Sequence, residues 1–98
     1  MSLRIAGKHM DIGEAFRARI EGRIGELVSK YFGGRFSGHV TVLKSASRFS
    51  ADCMIHPDSG MALQATGDSQ EPTAAFEIAA DRLETRLRRC KRRLKAHP

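Results

Sequence analysis

The chain has 98 residues, 41% of them hydrophobic and 29% charged, a composition that suits one globular domain with a single modest core and excludes two catalytic lobes or disorder throughout. No apolar run approaches the ~18 residues of a membrane span, and the opening MSLRIAGKHM does not read as a signal peptide. The formal net charge is +6, which points away from a neutral scaffold and toward a polyanionic partner.

Leu3 to Gly7 alternates weakly and predicts a short first strand. Asp11 is then placed to cap a helix in which Ile12, Phe16, Ile20, Ile24, Leu27 and Tyr31 recur at three- and four-residue steps. Gly33-Gly34 supplies the stop, and Gly22 and Gly25 inside this helix each cost roughly 1 kcal/mol against alanine. His39 to Lys44 is rich in β-branched residues and predicts a second strand. Phe49, Ala51, Cys53 and Ile55 alternate with Ser50, Asp52 and Met54, the period of a half-buried third strand. Pro57 to Gly60 reads as a turn, Met61 to Thr66 as the last strand, and Asp68 to Pro72 as a polar turn. From Pro72, suited to a first helical turn, Phe76, Ala79, Leu83, Leu87, Cys90 and Leu94 hold helical spacing to the end. The fold class is therefore α+β, in the order β-α-β-β-β-α, with a four-stranded sheet and two helices on one face.

The charge is unevenly spread. Residues 1–81 hold nine Lys/Arg and ten Asp/Glu, a net of −1, whereas residues 82–98 hold eight Lys/Arg and one acid, Glu84, a net of +7. Such an asymmetry suits nucleic acid or an anionic membrane surface; a solvated basic tail is the plainer alternative. At 100° per residue, Phe76, Leu83, Leu87, Cys90 and Leu94 share one face of the last helix, the core stripe. Arg82, Arg86, Arg89 and Arg93 fall on one flank. The other flank mixes Lys91 and Lys95 with Glu77, Asp81 and Glu84. On the first helix Arg19, Arg23 and Lys30 lie on one side, where Glu26 intrudes, and Glu14 and Glu21 on the other. If the two helices pack side by side, these basic flanks line one groove, and Lys8 extends it. Ordinary surface charge with pairing along each helix is the competing account.

A row of guanidinium groups ~5–6 Å apart suits phosphates, because arginine stays charged and presents a planar fork. With no Trp and a single Tyr, recognition by base stacking is poorly supported; backbone and shape recognition of structured RNA fits better. The candidate RNA-binding set is Lys8, Arg19, Arg23, Lys30, Arg82, Arg86, Arg89, Lys91, Arg92 and Arg93. His9, His39, His56 and His97 show no metal-ligand spacing with each other or with a cysteine. Cys53 and Cys90 read as buried small hydrophobes rather than nucleophiles. No phosphate-loop motif is present. Nothing here asks for an enzyme, a metal, a cofactor or a small-molecule substrate. The core stripe of the last helix is needed by the sheet, which argues against a membrane-surface role.

The opening Gly7-Lys8-His9-Met10-Asp11-Ile12-Gly13-Glu14-Ala15-Phe16 and the closing Ala79-Ala80-Asp81-Arg82-Leu83-Glu84 with Arg86-Leu87-Arg88-Arg89 and Lys91 resemble the bacterial ribosome hibernation promoting factors. These are also known as ribosome-associated inhibitor, protein Y or sigma-54 modulation proteins. The resemblance spans essentially the whole chain. It implies a shape similar to double-stranded-RNA-binding domains and a cytoplasmic, ribosome-associated protein. It further implies binding to 16S rRNA of the small ribosomal subunit between head and body, and inhibition of translation by occupancy when growth slows. Lys8, Arg23, Arg82, Arg89 and Arg93 match basic positions of the family; Arg86 joins them from helical geometry. Thr73 and Cys90 depart from positions where relatives carry Tyr. Longer members add a C-terminal domain that dimerises. Residues 1–98 are expected to be a single ribosome-binding domain without it, whether as a natural short form or as part of a long one. A general double-stranded nucleic-acid binder, or a regulator related to sigma-54, is the alternative reading.

Overall fold

In the computed structural model, residues 2–31, 35–58 and 61–96 are described, with side chains through residue 90. The elements run β1 (Ser2–Lys8), α1 (Glu14–Tyr31), β2 (Phe36–Ser45), β3 (Arg48–Pro57), β4 (Leu63–Ser69) and α2 (Pro72–Ala96). They form an α+β fold with one four-stranded sheet in the order β1-β2-β3-β4. β1 and β2 are parallel, joined through α1, while β2–β3 and β3–β4 are antiparallel. A parallel pair needs such a crossover. The β2–β3 hairpin closes Ser45 on Arg48 through a two-residue loop, with Ala46 in the left-handed region at φ 54°.

The alternation seen in sequence becomes two unlike sheet faces. Val40 and Val42 of β2, Ala51, Cys53 and Ile55 of β3 and Ala65 of β4 are buried under the helices. Ile20, Ile24, Leu27 and Val28 of α1 meet them, as do Phe76, Ala79, Leu83 and Leu87 of α2. Each large aliphatic side chain fully buried there contributes about 1.5–3 kcal/mol. Phe16 and Phe76 join the two helices edge to face, centroids 6.3 Å apart at 80°. Among the described residues no helix covers the other sheet face.

Several boundaries differ from expectation: β2 begins at Phe36 rather than His39, and β3 runs on to Pro57, which pairs with Phe36 instead of opening a turn. The α1 helix begins at Glu14, and the Arg17 amide donates to the Gly13 carbonyl at 2.9 Å. Asp11 therefore lies outside the first turn, and Ile12 packs back on the core from the connecting segment. The last strand covers Leu63–Ser69 rather than Met61–Thr66, leaving Met61 exposed at 67%. Gly67, between the expected strand and the expected turn, sits inside β4 opposite Ala51. A side chain there would meet the Ala75 carbonyl oxygen at 2.5 Å and the Ala79 nitrogen at 2.7 Å. Glycine here lets α2 lie down directly on the sheet. The expected Gly33-Gly34 stop and the Ser59-Gly60 half of the turn lie outside the described residues.

Candidate nucleic-acid interface

The core stripe of α2 fixes its rotation, and that rotation sorts its charges. Leu83 and Leu87 are fully buried, so the flank with Glu77, Asp81 and Glu84 turns toward α1. Arg19 Nε donates to Glu77 Oε1 at 3.3 Å, and Arg23 Nη2 donates to Asp81 Oδ1 at 3.0 Å and Glu84 Oε1 at 3.3 Å. Arg23 Nε also lies 3.7 Å from Glu77 Oε2. Lys30 Nζ donates to Glu84 Oε2 at 3.2 Å, and the Tyr31 hydroxyl donates to the same oxygen at 2.9 Å. Successive partners ascend together along both helices, so α1 and α2 run parallel.

Glu84 is the hub of this seam. The Tyr31 hydroxyl holds its carboxyl below the usual range, with further help from Lys30 and Arg23 against partial desolvation. Partial burial pulls Arg23 down, but its hydrogen bonds to Glu84 and Asp81 outweigh it and leave the guanidinium more firmly protonated. The hydrogen bond to Glu84 raises Lys30. This geometry corrects the shared groove. The cations of α1 face the acids of α2, and the arginine flank of α2 points away from α1.

That arginine flank lies over β4. Arg82 Nη1 donates to the Thr66 carbonyl oxygen at 2.8 Å, which anchors one guanidinium on the edge strand. Arg86 and Arg89 are exposed, and among the described residues neither forms an ion pair. Arg88, outside the expected flank, is also exposed and forms no ion pair among the described residues. Its signal was its place beyond the last α1 contact rather than its helical angle. The side chains of Lys91, Arg92 and Arg93 lie outside the described residues, although the helix continues to Ala96.

Lys8 is placed elsewhere. Ile5 is buried and Lys8 exposed in β1, so alternation puts Arg4 and Lys8 on the sheet face opposite the helices. Lys8 therefore does not extend the α2 surface. Burial, with the neighbouring Asp52 charge, pushes the Cys53 thiol up to about 12, which leaves it a poor nucleophile at neutral pH. Among the described residues no group of three or more His, Cys, Asp or Glu is arranged to hold a metal ion, and no helix is long and apolar enough to cross a membrane.

Residues 3–95 match the family profile described as Sigma 54 modulation protein / S30EA ribosomal protein. The chain is 57% identical over 97 residues to a protein of Rhizobium meliloti named ribosome hibernation promotion factor, covering 99% of this chain and 51% of that one. It is 43% identical over 95 residues to a protein of the same name from Bradyrhizobium diazoefficiens, covering 97% and 47%. The chain thus spans about half the length of the curated relatives it matches. Among solved structures, the Thermus thermophilus Protein Y N-terminal domain superposes with a TM-score of 0.81 at 23% identity, covering 91% of this chain and 98% of that one. A ribosomal subunit interface protein from Coxiella burnetii gives 0.79 at 19%, covering 93% and 98%. At such identities these two establish a common fold.

Proposed function

The chain belongs to the Sigma 54 modulation protein / S30EA ribosomal protein family, and from that premise we propose that it is the ribosome-binding part of a hibernation factor. It grips rRNA of the small subunit in the cytoplasm and stops translation by occupying the path of mRNA and tRNA. The observation that carries this reading is the exposed arginine surface of α2, where Arg86, Arg88 and Arg89 form no ion pair among the described residues, beside relatives named for ribosome hibernation. Exposed guanidiniums engage phosphates through bidentate, charge-assisted bonds. Each neutralised phosphate releases counterions, so binding weakens with salt by roughly 0.7–0.9 log units per log unit of salt per contact. No bond is made or broken; the protein acts by exclusion.

Arg86 and Arg89 lead the contact surface, with Arg82 held beside them, and Arg88 is added to the set. Arg19, Arg23 and Lys30 contribute chiefly by fixing α2 against α1. Lys91, Arg92 and Arg93 continue the basic sequence. Co-sedimentation with small ribosomal subunits in a sucrose gradient, at low magnesium and moderate salt, tests the proposal. Folded protein that stays at the top of the gradient refutes it. Equal displacement by duplex DNA and by small-subunit RNA would instead favour a general double-stranded nucleic-acid binder.

A further inference from the structure

The sheet face that carries no helix holds exposed cations of its own. Register pairing places Arg4 beside His39, Ala6 beside Thr41 and Lys8 beside Leu43. Arg4 and Lys8 are exposed, and among the described residues neither forms an ion pair. The positions of β1 and β2 on this face include no carboxylate. The acids of the face are Asp52 on β3 and Asp68 on β4, and Asp52 already accepts a hydrogen bond from Gln64 at 2.8 Å.

We infer that the open face of β1 and β2 is a second RNA-backbone contact surface, with Arg4 and Lys8 engaging phosphates on the side of the molecule away from α2. The inference rests on the ribosome-binding reading and adds a surface to it. Four residues of strand separate the two cations by roughly 13 Å. The face between them is low: Ala6 and Thr41 project little, so a sugar–phosphate chain can lie close. It offers no Phe, Tyr or Trp on which bases would stack, which selects backbone contact over base reading. An acidic protein patch would satisfy the same charges. Leu43, the large apolar side chain of β2 on this face, is half-buried rather than exposed, and without an exposed apolar anchor on these two strands a phosphate chain is the better match, since protein interfaces centre on such anchors. Because this face and the arginine flank point in different directions, they engage separate RNA segments.

The test uses the 98-residue chain and purified small ribosomal subunits, with dissociation constants measured across a potassium chloride series. The double variant Arg4→Gln/Lys8→Gln is expected to shallow the log–log salt slope by about 1.5, two phosphate contacts' worth, while its thermal midpoint stays put. An unchanged slope, where Arg86→Gln/Arg89→Gln lowers it, overturns the second surface and leaves the ribosome-binding reading intact. Failure of the unaltered protein to bind overturns both. A photoreactive residue at Ala6 gives a measurement independent of the double variant's folding. Crosslinks to rRNA support the inference, whereas crosslinks only to a ribosomal protein, or none in a bound complex, overturn it.

Discussion

Arg23 on α1 and Glu84 on α2 meet at 3.3 Å across the two helices, with each side chain only 22% exposed. Glu84 is the sole acid among the last seventeen residues, and its position explains why one carboxylate persists in so basic a segment. It collects Arg23 from the middle of α1 and Lys30 and Tyr31 from its end, and pins the start of the arginine-rich half of α2.

Replacing that carboxylate tests the pin. Glu84→Gln is expected to lose about 1–2 kcal/mol at pH 7, the scale of charge-assisted hydrogen bonds at a partly buried site. Because the folded-state pKa is depressed, the stabilisation is complete above the unfolded value near 4.3 and disappears as pH falls through the folded one. Urea midpoints of the two proteins should therefore differ at neutral pH and converge in acid. A gap independent of pH would mean that Glu84 acts by packing alone.

The two groups of arginines should separate functionally. Arg86→Gln/Arg89→Gln is expected to weaken small-subunit binding about tenfold or more at moderate salt, with unfolding midpoints nearly unchanged, as for most surface substitutions. Arg23→Gln should do the reverse. It leaves Glu77, Asp81 and Glu84 without their shared cation, and about 1–2 kcal/mol of stability goes with it. Parallel sedimentation and thermal melts check both arms.

Much of this division was readable in the sequence, and the limit is instructive. The core stripe of α2 and the strands β2 and β3 follow from periodicity, because Leu83, Leu87, Ala51 and Cys53 repeat at spacings that only one period satisfies. The arginine flank followed from the same arithmetic. What periodicity cannot supply is which helix face meets which. The acids at 77, 81 and 84 mirror the cations at 19, 23 and 30, yet only the parallel packing of α1 on α2 turns that likeness into contact. Strand β4 shifted for a related reason: Asp68 and Ser69 look like a turn locally, but Ser50 and Phe49 of β3 extend the ladder to them. The neighbourhood of Lys8 in sequence is the helix start, whereas its side in space is set by strand alternation.

Glycines supply a stability contrast. Gly67→Ala thrusts a methyl against the backbone of α2 and should cost about 2–4 kcal/mol, in the range of severe core strain. Gly22→Ala and Gly25→Ala meet nothing within 4 Å and should each gain about 0.5–1 kcal/mol through helix propensity. Denaturant titrations of the three single variants decide it by sign.

Thiol accessibility gives a further check. Cys53 is buried with its thiol pushed to about 12, while Cys90 is half-exposed on α2. A maleimide at neutral pH should modify one thiol per native chain and two in denaturant. Rapid native labelling at Cys53 would show that the sheet opens more readily than its burial implies.

The parallel course of α1 and α2 has an electrical consequence. Both helices start beside the β2–β3 hairpin and finish at the other end, where the arginines accumulate, so the molecule is charged like a rod with one positive tip. In the field of a highly anionic particle such a rod turns before it touches, tip foremost. Productive collisions would then outnumber those expected of randomly tumbling copies, an advantage that added salt erases by shortening the distance over which the field is felt.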